Sequence, residues 1–64
     1  MNREDFEEFV NCPVKVTYQS HVQQVTRRGV LVRINFQSLT LLGKTSGYYY
    51  HIPIKSVVGV VRGD

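Results

Sequence analysis

Apolar and polar residues alternate along most of this chain, and the period of the alternation sets out its elements. Val14, Val16 and Tyr18 alternate with Lys15, Thr17 and Gln19, the two-residue period of a strand with one buried and one wet face, which predicts a first strand over 14–19. Ser20 and His21 interrupt it. A second run over 22–34 is longer than an ordinary strand and carries Gly29 in its middle, where a glycine marks a bulge or a sharp bend. Beyond Gly29, Val30, Val32 and Ile34 alternate with Leu31, Arg33 and Asn35, so the buried half is expected to begin there, with Val30, Val32 and Ile34 inward. Phe36, Gln37 and Ser38 form a turn, and Leu39 and Leu41 then point inward from a third strand over 39–42. Gly43 and Gly47 frame a polar loop. A fourth strand runs over 48–54, with Pro53 confined to an edge, a bulge or a strand end, and a fifth runs over 56–61. Ahead of all this, Phe6, Phe9 and Val10 fall on one helical stripe, Asn2 stands as an N-cap, and Asn11 and Pro13 supply a stop. The pattern predicts a helix over 3–10 that docks its phenylalanines on an open end of the sheet.

The expected fold is therefore mainly β: one domain over 1–64, a short N-terminal α-helix within 1–11, then five strongly bent antiparallel strands over 14–61 in a small SH3-like barrel. At 64 residues such a chain buries only about 60% of the surface its unfolded form exposes. Small domains compensate with disulfides, metals or oligomerisation. Cys12 is the single cysteine, so no internal disulfide is possible, and His21, His51 and Cys12 lack any metal-ligand spacing. No cofactor is expected either. Oligomerisation remains, and two features ask for it. The last strand is apolar on both faces, which invites pairing at an open edge, and three consecutive tyrosines, Tyr48 to Tyr50, are out of place on a monomer surface. Head-to-tail pairing of the fourth strand with a neighbour's fifth would bury Tyr48, Tyr50, Val57, Val58 and Val60, and if it closes it makes a ring.

Charge narrows the partners. The net charge of +3 hides an acidic first ten residues, in which Arg3 faces Glu4, Asp5, Glu7 and Glu8, and a body of +6 in which only Asp64 is acidic. A basic body suits a polyanion; ordinary solvated charge is the plain alternative. No apolar run approaches the ~20 residues that span a bilayer, and the acidic start is unlike a signal peptide, so a cytoplasmic protein is expected. No nucleophile has a plausible base and no glycine loop cradles phosphate, so an enzyme is not expected.

Two segments resemble the signatures of the Sm/LSm family, most of all its bacterial Hfq-type branch. Phe36 to Leu42, FQSLTLL, resembles the first signature, with Gly29 as the glycine upstream; Tyr50 to Val60, YHIPIKSVVGV, resembles the second. Helix-then-five-strand order is similar too. The chain departs from the pattern where the first signature has aspartate, since Gln37 or, in another register, Asn35 stands there, and in the second, where Ile52 falls on the family's histidine and His51 on its lysine.

The resemblance implies a homo-oligomeric ring of about five to seven subunits whose pore-lining turns bind single-stranded RNA, U-rich or A-rich. It places sites at Phe36, Gln37, Ser38, Tyr50 and His51. The chemistry of the residues adds Lys55 for a phosphate and, on the outer surface, Arg27 and Arg28, a pair beside the Gly29 bend that offers two charged forks to a phosphate chain. Plainer roles stand beside these. Phe36 is expected in the core rather than as a stacking platform, Tyr48 and Tyr50 at an interface, His51 as a capped turn residue, and Arg27, Arg28 and Arg33 on a solvated face. A monomeric SH3-like or Tudor-like module that binds protein is the competing reading.

Overall fold

The computed structural model describes residue 4 and residues 6–63. Five strands, β1 (Pro13–Gln19), β2 (Gln24–Ile34), β3 (Ser38–Gly43), β4 (Tyr49–Pro53) and β5 (Val57–Arg62), form one antiparallel sheet in the order β4-β3-β2-β1-β5. All neighbours pair antiparallel. β4 and β5 are the two edges, and no ladder joins them, so the sheet is not closed.

β2 lets one sheet curl over a core. Its residues 24–30 pair with β1 and its residues 29–34 with β3, so the strand changes partners at Gly29 and Val30. Gly29 faces Gly43 across the ladder, and a Cβ at Gly29 would press into the Leu42 backbone, 2.8 Å from its carbonyl carbon. A glycine is required because the two backbones approach this closely.

The inward set on β2 differs from the expected one. Leu31 is fully buried, while Val30, Val32 and Ile34 are only half-buried. The reason is a bulge: Leu31 lies opposite Leu41 and Arg33 opposite Thr40, leaving Val32 unpaired. One extra residue reverses the parity of the strand. Gly29 and Leu31 point inward before the bulge, and Ile34, opposite buried Leu39, packs on the core after it. Val14 and Val16 of β1, Leu39 and Leu41 of β3, Ile52 of β4, Ile54 and Val57 complete the core.

No α-helix is present among the described residues. The apolar stripe instead sits on a 3-10 helix, Glu7–Phe9, whose bonds run from the N–H of Phe9 to the carbonyl of Phe6 (2.9 Å) and from that of Val10 to Glu7 (3.3 Å). An eight-residue α-helix gains too few bonds to offset its nucleation, and tighter turns let Phe6 drop fully into the core with Phe9 and Val10 packed beside it. The Asn2 cap, Arg3 and Asp5 lie outside the described residues. Asn11 then adopts φ 68°, which asparagine tolerates, and its N–H bonds to the Leu31 carbonyl at 2.6 Å, carrying the chain into β1. No helix among the described residues is long and apolar enough to cross a membrane.

Candidate functional site

Two turns far apart in sequence meet at one end of β3 and β4. In the first, between β2 and β3, Asn35 Oδ1 accepts from the backbone N–H groups of Gln37 and Ser38, both at 2.8 Å, and the Asn35 N–H donates to the Ser38 carbonyl at 3.0 Å. This Asx-type arrangement fixes the turn through the asparagine side chain. The second is a 3-10 turn, Ile54–Ser56, between β4 and β5. Its Ile54 side chain is buried in the core, and its Ile54 N–H donates to the Gln37 carbonyl at 2.9 Å, which ties the two turns together.

Between them lies an open cleft of about 570 Å³ lined by Phe36, Gln37, Ser38, His51, Pro53 and Lys55. Phe36 is 76% exposed, which overturns the expectation that it sits in the core. The turn carries it past the end of β2, where no inward position remains. His51 is held by Thr40, its cross-strand partner: Nδ1 and the threonine Oγ1 are 3.2 Å apart, which leaves Nε2 for another group. The Ser38 hydroxyl leans on Asn35 Oδ1 at 3.4 Å. The cleft thus presents an exposed aromatic face, an imidazole, an amide, a hydroxyl and the Lys55 ammonium. That set suits a flat polar ring carrying an anionic group.

The remaining expected site residues lie elsewhere. Tyr50 alternates with His51 and so turns to the concave side of the sheet with Ile52. There the Arg27 guanidinium lies over its ring, 4.2 Å from the centroid, while Arg27 Nε donates to the Tyr18 hydroxyl at 2.9 Å and the Tyr50 hydroxyl meets Ser46 Oγ at 3.2 Å. The hydrogen bond to Tyr18 raises the Arg27 pKa above its usual value against an opposing desolvation, so the guanidinium keeps its charge at any working pH. This cluster links β1, β2 and β4. Arg28, its sequence neighbour, is exposed on the opposite face, beside a smaller notch of about 100 Å³ that Lys44 and Gly63 also line. The two arginines therefore do not form one paired fork.

Of the residues expected at a subunit interface, Tyr48 and Val58 are exposed, Val57 is in the core, and Tyr50 and Val60 pack against it. Pro53 and Asn35 were not among the expected site residues. The signal for Asn35 was present in the stretch NFQS, where an asparagine precedes residues with free backbone N–H groups. For Pro53 there was none, since its place in the cleft follows from the pairing of Ser38 with Pro53. No family model matches the chain, and no curated protein or solved structure matches it significantly.

Proposed function

We propose that this protein is an Sm-like RNA-binding domain that works as a homo-oligomeric ring, with the cleft between the two turns as its site for a base of single-stranded RNA. The observation that carries the reading is that Phe36, Gln37, Ser38, His51 and Lys55, drawn from two distant segments, line a single cleft. A base stacks on the Phe36 ring, with Gln37, Ser38 and His51 Nε2 on its polar edge and Lys55 on the adjoining phosphate. Stacking of this kind contributes about 1–3 kcal/mol per base and works on any base, while the polar edge supplies preference. The ring reading draws support from the two edges, β4 and β5, that no other strand among the described residues covers, on a domain too small to bury a large core.

Binding of labelled oligo-U and oligo-A across a salt series tests the RNA reading. The expected result is salt-sensitive binding that the Gln37→Ala/His51→Ala variant weakens by about tenfold or more, the loss of roughly one base contact. The mass of that variant in solution should equal that of the parent. Salt-insensitive or absent binding by the parent protein overturns the RNA reading, and a variant of altered mass assigns these residues to assembly.

A further inference from the structure

The convex face of the sheet continues beyond the cleft. β3 runs away from it with Ser38, Thr40 and Leu42 on the convex face, opposite Pro53, His51 and Tyr49 of β4, while Leu39, Leu41 and Ile52 fill the core behind them. From Ser38 to Lys44 this face extends about 20 Å. Tyr49 stands on it two residues from His51, about 7 Å along the strand, and the residue is 62% exposed. Further along, cations gather. Arg28 is exposed on β2, Lys15 is its cross-strand partner on β1, and the Lys44 N–H donates to the Arg28 carbonyl at 3.2 Å. Like charges placed directly opposite each other weaken a sheet, and an anion lying over Lys15 and Arg28 relieves that repulsion.

We infer that single-stranded RNA leaving the cleft runs along the convex face of β3 and β4 and then crosses onto β2 and β1, with a second base stacked on Tyr49 and the following phosphates held by Arg28 and Lys15. The occupant is set by charge and by continuity: the face begins at the base cleft, continues with an exposed aromatic ring and ends on cations, which is the order of groups that an extended single strand requires. The inference rests on the RNA reading of the cleft and extends it to the length of RNA that one subunit holds.

Two oligonucleotides separate the two claims. A triuridylate is short enough to fill the cleft alone, and a nonauridylate also covers the convex face. The Lys15→Gln/Arg28→Gln variant is expected to lose about tenfold or more in affinity for the nonauridylate, with its salt slope reduced by about 1.4, while its triuridylate affinity holds within about twofold. Tyr49→Ala should show the same length-dependent loss at unchanged salt slope, and Tyr49→Phe should restore it. Thermal midpoints within about 3 °C of the parent, as expected for surface substitutions, identify these as binding effects. Equal losses for both lengths, or no loss for either, overturn the inference. A parent protein that binds both lengths equally tightly overturns it while leaving the cleft intact, and a parent that binds neither overturns both readings.

Discussion

Gly29 carries more of the fold than its size suggests. It is the residue at which β2 passes from β1 to β3, and its missing side chain is what lets the Leu42 backbone come so near. Backbone cannot swing aside as the end of a long side chain can, so Gly29→Ala must push β3 away or bend β2. The expected cost is about 2–3 kcal/mol, at the upper end for overpacking, read as a lower urea midpoint at unchanged slope. Gly59 is the control, because nothing lies within 4 Å of an added Cβ there and its φ is ordinary. Gly59→Ala should leave stability nearly unchanged. Asn35 makes the complementary point about the site. Its side chain holds the turn that presents Gln37 and Ser38 to the cleft.

At the scale of elements, the strands were legible and the parity within them was not. The two-residue alternation placed β1, β3 and the long β2 within a residue or two of their observed ends. It could not foresee the bulge at Val32, because Val30-Leu31-Val32 is apolar at every position and supports either face. The same ambiguity affected Phe36, an aromatic residue beside a strand whose exposure is decided by where the turn begins. The N-terminal stripe was legible as a set of docking residues, yet three apolar positions within five residues fit a 3-10 turn as well as an α-helix. What the segment does follows from burial rather than helix type. Phe6 is fully buried in a domain with few large core residues, so Phe6→Ala is expected to cost about 3–5 kcal/mol, enough to unfold much of so small a domain. Near-ultraviolet circular dichroism and a thermal scan check it. Of the cleft, sequence supplied Phe36, Gln37, Ser38, His51 and Lys55; it could not separate them from Tyr50, because only the strand's alternation on a known register sends Tyr50 to the other side.

The described residues form an open sheet whose two edges, β4 and β5, pair with no further strand among them and differ in character. β4 offers Tyr48 and Tyr49 beside a strand that ends at Pro53, and β5 offers Val58 and Val61, both more than half exposed, on a strand with no acidic residue. Edges of this kind pair with whatever strand they meet unless charge, proline or a bulge blunts them. If β4 of one copy takes β5 of the next, each subunit both gives and receives an edge, and the contact is heterologous. Such contacts either close into a ring or grow without limit, and the two outcomes differ in one measurement. A ring has a single mass, a whole multiple of 7.4 kDa, that holds as concentration rises, whereas a filament grows. Light scattering over a concentration series is expected to give the constant mass. Val58→Lys then places a charge on the β5 edge at a position that is 54% exposed, so the fold tolerates it and the strand pairing does not. The variant should run as a 7.4 kDa monomer with the parent's far-ultraviolet spectrum. It should also bind long oligo-U far more weakly, because a ring engages one strand through several clefts at once and a monomer through one. A variant that keeps the parent's mass would show that assembly does not run through the β5 edge, and a monomer that keeps the parent's affinity would show that the clefts act singly.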